Sequence, residues 1–437
     1  MDNSIRSRAQ ALLPELTAIC RDFHHYAEPG WLEMRTSSIL ARRLTELGYE
    51  VLTGADVCKG DARMGLPPEE TLSAHYEWAK QNGADAEFLS RMAGGFTGVI
   101  ATLHCGEGPT VALRFDIDAL GVDEAEDASH LPYKEGFASV MPGVMHACGH
   151  DGHAAIGIGT ATLLAGMRDE LHGTVKLIFQ PAEEGVRGAK SIVDAGHLDG
   201  VDYALAAHIL PAGKAAGLVD IGVLKDGAQG GLATAKLDVT FTGVPAHAGL
   251  APQEGRNALL AAATAVLNLH AIPRFGNTPT QINAGTLHAG TGRNVVCDSA
   301  KLELEVRGQT TEANEYMLRR ANEIVQAAAQ MHGCTCETRA MGSAAALVCT
   351  WPLSERVEGV CRDGLGLRVV RVGALSGGSE DFAYMAERVQ QQGGQAAYIG
   401  LLSACPAANH NSRFDFDEQA LANGAAMFTA VTASLLA

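Results

Sequence analysis

Four apolar runs of strong β character, separated by polar or small-residue segments, constrain the fold of this chain most. The runs are GVIATLH (98–104), TVALRFD (110–116), TVKLIFQ (174–180) and DYALAAHI (202–209). Between the second and third lies DGHAAIGIGTATLLAGM (151–167), which has the small, apolar composition of a buried helix. Strands that alternate with helices in this way predict an α/β fold with a mainly parallel sheet and helices on both faces. In such sheets, functional sites gather at the carboxyl ends of the strands.

The length of the chain predicts more than one domain. At 437 residues it exceeds what a single hydrophobic core usually supports. Near Gly227 the sequence changes to a Gly-rich crossing followed by alternating strands and two amphipathic helices. We therefore expect a catalytic domain formed by residues 1–227 and 342–437, with an α+β domain inserted at 228–341. A further segment, 54–95, is charged and mostly helical in character, and its role stays open.

Composition excludes several classes of protein. The formal net charge of -17 argues against binding to nucleic acid or to an anionic membrane surface. We find neither a signal peptide nor an apolar run of about 18 residues, so the cytoplasm is the expected compartment. Ten cysteines in a chain of this length do not form a disulfide framework, and most are expected to be small buried hydrophobic residues.

Several side chains that can bind metals follow these apolar runs. They are Cys148 and His150 in MHACGHDGH, Glu183 and Glu184 in QPAEEG, His208 in AAHIL and His410 in NHNSRF. Each has an ordinary explanation, because a histidine at a strand end is often a hydrogen-bonded surface residue and a glutamate pair is usually solvated. Spacing alone therefore leaves both explanations open.

Three kinds of chemistry compete for these residues. A zinc finger is disfavoured because the chain has no C-x-x-C pair. A thiol nucleophile at Cys148 is possible, but it leaves the two glutamates and His410 without a role. A hydrolytic site with two metal ions uses all of them and needs one further carboxylate to accept a proton from water. Adjacent residues of an extended chain point apart, so one glutamate would bind metal while the other faces the water.

The motifs MHACGHDGH, QPAEEG, AAHIL, GVPAHAG, GGSEDFAYM and NHN resemble those of the M20 metallopeptidase family, in family order along almost the whole chain. The resemblance is to its amidohydrolase branch and implies a metal-dependent amidohydrolase with two divalent ions, Mn²⁺ or Zn²⁺. It implies the following roles: Cys148 bridges both ions, His150 and His208 complete one, Glu184 and His410 complete the other, Glu183 is the general base and Asp118 orients a ligand.

The inserted domain carries further marks of this family. The resemblance implies that His247 in PAHAG polarises the scissile carbonyl across a dimer formed through the inserted domain, and that Asn294 and Arg307 hold the substrate. Arginine suits a carboxylate because its planar guanidinium can donate two parallel hydrogen bonds. Arg307 could instead pair with a neighbouring acid.

The segments HHYAEPGWLEM, RMGLPPEE, SHLPYKEGFAS and HNSRFDFDEQAL are similar to the members of this branch that hydrolyse p-aminobenzoyl-glutamate. The resemblance implies this substrate, with a broader N-acyl-amino-acid amidohydrolase of hippuricase type as the alternative. It leaves open a homodimer or a hetero-oligomer with a second, paralogous subunit. The metal also stays open, because oxygen and imidazole donors suit manganese whereas a thiolate favours zinc.

Overall fold

The structure is a computed structural model that describes residues 3–374 and 378–437. Its helices are α1 Asn3–His25, α2 Met34–Glu46, α3 Glu69–Gln81, α4 Ala86–Leu89, α5 Leu131–Glu135, α6 His150–Ala165, α7 Ala189–Asp194, α8 Ala258–Leu269, α9 Thr311–Met331, α10 Trp351–Gly359, α11 Phe382–Gln391 and α12 Gln419–Leu435. Its strands are β1 Glu50–Thr53, β2 Val99–His104, β3 Thr110–Asp116, β4 Thr174–Gln180, β5 Tyr203–Pro211, β6 Ile221–Leu224, β7 Gln229–Gly231, β8 Ala233–Thr242, β9 Thr280–Ala289, β10 Ser299–Gly308, β11 Thr335–Ala344, β12 Leu347–Val348, β13 Val369–Val372 and β14 Gln395–Ser403.

An eight-stranded sheet organises the first of two compact units, which comprises residues 3–230, 347–374 and 381–437 of the described chain. The strand order is β1-β2-β4-β3-β5-β14-β6-β13. The central pairs β4–β3, β3–β5 and β5–β14 are parallel, whereas β1–β2, β2–β4 and β14–β6 are antiparallel. The four apolar runs are β2 to β5, so the predicted α/β fold with a mainly parallel sheet is confirmed.

Helix α6 packs closely beneath this sheet because its small residues allow it. A Cβ atom added to Gly157 would lie 2.4 Å from Phe179 Cε1, and one added to Gly152 would lie 2.6 Å from Phe416 Cζ. Such distances are too short for any side chain, so these two positions require glycine. The helix begins at His150, directly after Gly149 in the left-handed region with φ 86°. Close packing therefore fixes the start of α6 and the residues just before it.

The second unit comprises Gly231–Ala346 with Gly378–Glu380. Its antiparallel sheet has the order β11-β8-β10-β9, and α8 and α9 pack on one face. Alternate residues of β10 are buried, as a strand with one solvated face requires. The side chains of Asn257 and Thr310 cap α8 and α9 by accepting from backbone N–H groups.

Some details differ from the sequence prediction. The second unit starts and ends a few residues later than 228 and 341, and at its end β11 continues past residue 341 to Ala344. The first glycine of the GGSEDFAYM motif, Gly377, lies outside the described residues. Within the described chain, no helix combines the length and the apolar character needed to cross a membrane.

Candidate metal centre

The predicted ligands meet at one edge of the large sheet. Glu183 and Glu184 follow β4, His208 lies in the last part of β5, and His410 follows β14. Cys148 precedes α6, and that helix packs against β3, β4 and β5. Because the central strands are parallel, their carboxyl ends lie at the same edge, which brings together residues far apart in the sequence.

Cys148 lies where two groups of possible metal ligands meet. Its Sγ and one nitrogen each of His150 and His208 lie within 4.8 Å of one another. The same Sγ, a carboxylate oxygen of Glu184 and a nitrogen of His410 form a second such group. The Cys148 Sγ–His208 Nε2 distance is 3.3 Å, and His410 Nε2 lies 3.4 Å from Glu184 Oε1. This grouping is the one expected for a thiolate shared between two ions, although the ligand roles themselves remain predictions.

His150 presents an unpaired nitrogen to this cluster. Its Nδ1 lies 2.9 Å from the backbone oxygen of Asp118 and donates to it, so Nε2 is the nitrogen that can take up a proton or bind a metal ion. Among the described residues, Nε2 is buried and has no hydrogen-bond partner. A buried polar atom left unpaired costs about 1–3 kcal/mol, which a bound cation would offset. The residues present therefore fit a metal ion.

Charges around His150 also favour a cation. Burial alone would lower the pKa of His150, but the carboxylates of Asp116 and Asp118 outweigh burial, and the pKa lies well above its ordinary value. Asp116 Oδ2 lies 3.8 Å from His150 Nε2. These carboxylates stabilise a positive charge at this nitrogen, which either a proton or a metal ion can supply.

His208 is held as a neutral imidazole. Burial is the main cause that lowers the pKa of His208 well below its ordinary value. Its Nδ1 donates to the backbone oxygen of Ile209 at 2.8 Å, which leaves Nε2 facing Cys148. His153 supports the same strand, because its Nε2 accepts from Ile209 N–H at 2.8 Å and its Nδ1 bonds Asp116. His208 thus has the tautomer that a metal ligand needs.

The two glutamates converge, contrary to expectation. Glu183 Oε2 and Glu184 Oε1 each lie 4.0 Å from His150 Nε2. The expectation that they point apart assumed an extended chain, but the segment after β4 is a tight turn in which Ala182 has φ 51°. Both carboxylates can therefore face the same cluster, with Glu183 nine-tenths buried.

The surroundings of Cys148 argue against a free thiol nucleophile. Burial raises the pKa of the Cys148 thiol to about 12. A thiol with such a pKa is almost entirely protonated near neutral pH and is a poor nucleophile. A metal ion removes this barrier, because a coordinating thiol is deprotonated. Asn409 Nδ2 lies 3.5 Å from Sγ, so the first residue of the NHN motif contacts the thiol.

Comparison with known proteins identifies the family. Residues 112–434 match the family model described as peptidase family M20/M25/M40. The chain belongs to this family. Membership makes it a hydrolase of amide bonds, as the sequence predicted.

Relatives in the M20/M25/M40 family match over nearly the whole chain. An indole-3-acetyl-aspartic acid hydrolase from Enterobacter agglomerans is 48% identical over 94% of this chain and 93% of its own length. One of the subunits of p-aminobenzoyl-glutamate hydrolase from Escherichia coli is 47% identical over 96% of this chain and 95% of its own. The solved structure of an aminobenzoyl-glutamate utilization protein from Klebsiella pneumoniae superposes with a TM-score of 0.83 at 40% identity, covering 98% of this chain and 97% of that one.

A second solved structure bears on the metal content of this family. A dinuclear metal-binding peptidase of family M20 from Bacillus subtilis has a TM-score of 0.66 at 26% identity and covers 98% of this chain and 99% of that one. The relative thus binds two metal ions on the same fold. Together with the donor cluster around Cys148, this supports a metal-binding site in the present chain, without identifying the metal.

The three predicted residues of the second unit are on its surface. His247 is exposed, and its Nδ1 accepts from the N–H groups of Gly249 and Leu250 at 3.2 and 3.1 Å, which places the ring proton on Nε2. Asn294 is exposed as well, and Arg307 pairs with Glu305 at 3.0 Å. The alternative noted for Arg307, a neighbouring acid, is therefore present, and substrate binding by these residues stays a prediction.

Two buried carboxylates that touch the turn after β4 were missed in the sequence. Glu33 accepts from Ala182 N–H at 2.7 Å, and burial together with the charge of Asp118 raises the pKa of Glu33 to about 8. Asp381 accepts from the N–H groups of Gly188 and Ala189 at 3.1 and 2.9 Å. Both lie in segments quoted above, HHYAEPGWLEM and GGSEDFAYM, but no local pattern gives them this role, since each acts on a backbone group far away in the sequence.

Proposed function

We propose that this chain hydrolyses the amide bond of p-aminobenzoyl-glutamate, releasing p-aminobenzoate and glutamate. The observation that carries the proposal is the shared thiol of Cys148, which belongs to both ligand groups beside the unpaired Nε2 of His150. The substrate is supported by the names of full-length relatives, among them the Escherichia coli hydrolase subunit at 47% identity.

The cluster supports a division of roles. Two divalent ions, Mn²⁺ or Zn²⁺, would be held by the following residues: Cys148, His150, Glu184, His208 and His410. When bound they supply Lewis acidity that makes water a nucleophile near neutral pH. Glu183 accepts the proton of the attacking water and later delivers it to the leaving nitrogen, as the C–O bond forms and the C–N bond breaks.

His247 would complete the reaction centre from a partner chain. Its Nδ1 accepts two backbone N–H groups, so its Nε2–H is available to donate to the carbonyl oxygen as negative charge develops. A dimer through the second unit is supported by α8, which leaves Leu260 48% and Leu267 75% exposed.

Asn294 and Arg307 would hold the carbonyl and a carboxylate of the substrate. Residence in the cytoplasm is part of the proposal and rests on the sequence alone.

The direct experiment is turnover of p-aminobenzoyl-glutamate by the purified full-length chain, with release of p-aminobenzoate as the readout. It is performed with the chain alone and after mixing with a paralogous second subunit. Activity of the chain alone would show a self-sufficient enzyme, whereas activity only on mixing would show that the hetero-oligomer is required. No turnover in either case would refute the substrate.

A broader N-acyl-amino-acid amidohydrolase is the second candidate, and one comparison favours it. The relative named for indole-3-acetyl-aspartic acid is as similar as the one named for p-aminobenzoyl-glutamate, at 48% identity. Both names describe an aromatic acyl group joined to an acidic amino acid. Comparing kcat/KM for these two compounds and for hippurate separates the candidates, since comparable values for all three would establish broad specificity.

A further inference from the structure

The segment 54–95 lies against the turn that carries the two glutamates. Its first part packs on α7, the helix that follows this turn, and Lys59 N–H donates to Ser191 O at 3.0 Å. Its helices α3 and α4 pack against α2. The segment thus lies between the N-terminal helices and the chain that leaves the turn.

Arg187 joins the segment 54–95 directly to a predicted metal ligand. Its Nε donates to the backbone oxygen of Glu184 at 2.8 Å. Its Nη1 donates to the backbone oxygen of Gly65 at 3.2 Å. One half-buried guanidinium therefore links the main chain at Glu184 with the RMGLPPEE stretch of the segment.

The AEPGW turn fills the space between these two parts. A Cβ atom on Gly30 would lie 2.2 Å from Arg187 Nη2 and 2.9 Å from Ala182 Cα, so only glycine fits there. Next to it, the buried indole of Trp31 donates from Nε1 to Met64 O at 2.7 Å. The backbone oxygens of Met64 and Gly65 therefore accept hydrogen bonds from Trp31 and Arg187, respectively.

The turn needs such support because its backbone is strained. Ala182 and Val186 have φ of 51° and 59°, which non-glycine residues rarely adopt. Residues in such conformations cost of order 1–3 kcal/mol each and persist only where their surroundings hold them. Glu33 and Asp381 hold the backbone N–H groups at the two ends of the turn, and Arg187 holds a carbonyl group at its centre.

We propose that the segment 54–95 is a positioning element for the catalytic turn and that Arg187 is the residue through which it acts. Gly65 O accepts a hydrogen bond from the Arg187 guanidinium and holds it in place. The guanidinium in turn holds the backbone oxygen of Glu184, and thereby the backbone position of the neighbouring Glu183. The inference rests on the proposed roles of these two glutamates. A segment that served only as a subunit contact would not require this link to the turn.

The test replaces Arg187 with methionine, which keeps much of the side-chain volume and removes every donor. Arg168→Met is the matched control, because Arg168 also donates from Nε to a backbone oxygen, that of His104 at 3.1 Å, beside the amino-terminal end of β4 and so at the opposite end of that strand from the turn. We expect R187M to lower kcat about 10–100-fold with KM nearly unchanged, as found when groups that orient ligands are removed. R168M should resemble the unmodified chain.

Two readouts do not depend on turnover. Chelator competition should show that R187M releases metal about tenfold more readily, and amide exchange of the peptide covering the turn should be faster than in R168M. If the unmodified chain fails to cleave p-aminobenzoyl-glutamate, these two readouts still test the positioning role.

Two further variants distinguish the positioning role from a general folding defect. Arg187→Lys keeps one donor and should recover part of the metal retention. Trp31→Phe removes the N–H that holds Met64 together with part of the buried ring, and should shift amide exchange in the same direction. Equal metal retention and amide exchange in R187M and R168M would overturn the proposal, as would a change in R187M confined to its oligomeric state.

Discussion

The backbone oxygen of Asp118 accepts from His150 Nδ1 at 2.9 Å, while the Asp118 carboxylate accepts from the N–H groups of Glu183 and Glu184 at 3.0 and 2.9 Å. One residue therefore sets the tautomer of a predicted metal ligand and the backbone of both glutamates. Each carboxylate oxygen accepts from a different N–H group. An amide in its place would put an NH₂ group, which cannot accept, opposite one of these donors.

Asp118→Asn should weaken metal binding about 10–100-fold, since groups that orient metal ligands have effects of this size. The new NH₂ group would oppose one of the two N–H donors and displace the turn. Chelator competition measures the effect. Asp123→Asn, on an exposed residue of the same loop, is the control, and equal metal retention in the two variants would contradict this role of Asp118.

Glu183→Gln should lower kcat by roughly 10²–10⁴, the usual contribution of a general base. Glutamine keeps the shape of the side chain but cannot accept the proton of water. Metal content, measured by elemental analysis, should stay unchanged because Glu183 is not one of the predicted ligands. Loss of a metal ion from this variant would instead make Glu183 a ligand.

Removing the metal should abolish turnover. Because burial raises the pKa of Cys148 to about 12, the thiol cannot act as a nucleophile near neutral pH without a cation beside it. Prolonged dialysis against a chelator followed by addition of Mn²⁺ or Zn²⁺ is the measurement, and the ion that restores turnover indicates the metal used. Activity that survives complete metal removal would revive the thiol mechanism.

The strands and the grouping of the candidate ligands could be predicted because their signals are local. Glu184 and His208 each follow or end an apolar run, and the parallel sheet then brings the ends of these runs together. The convergence of Glu183 and Glu184 could not be predicted in this way. It depends on the strained turn at Ala182, which Glu33 holds from 149 positions away, and no pattern in the sequence reveals which backbone N–H a buried carboxylate will meet.

Stability should depend on His24 below about pH 10. Burial alone would lower the pKa of His24, but hydrogen bonds to Asp151 and Glu124 outweigh burial and raise it to about 10. A histidine whose pKa is higher in the folded than in the unfolded protein stabilises the folded state. The stabilisation is complete below the unfolded pKa of 6.5 and is lost as the pH rises to about 10.

His24→Gln should therefore destabilise the fold by about 3 kcal/mol near pH 6, as expected for breaking a buried charge pair, and by progressively less toward pH 10. Denaturant unfolding of both proteins at several pH values measures the difference. Glu124→Gln removes one partner and should move the decline to lower pH. A difference that stays constant from pH 6 to 10 would rule out a charged His24.

Leu267→Glu should convert a dimer into monomers and reduce turnover. Leu267 is 75% exposed on α8, and a charge at this position would oppose burial in an interface. If His247 of each chain serves the reaction centre of the other, monomers should lose about 10²–10³ in kcat, the usual effect of removing one donor to a developing oxyanion. Leu218→Glu, at a residue 68% exposed in the first unit, is the control and should leave the oligomeric state unchanged. Analytical ultracentrifugation and turnover measured at the same protein concentration test both effects, and a fully active monomer would refute the exchange of His247 between chains.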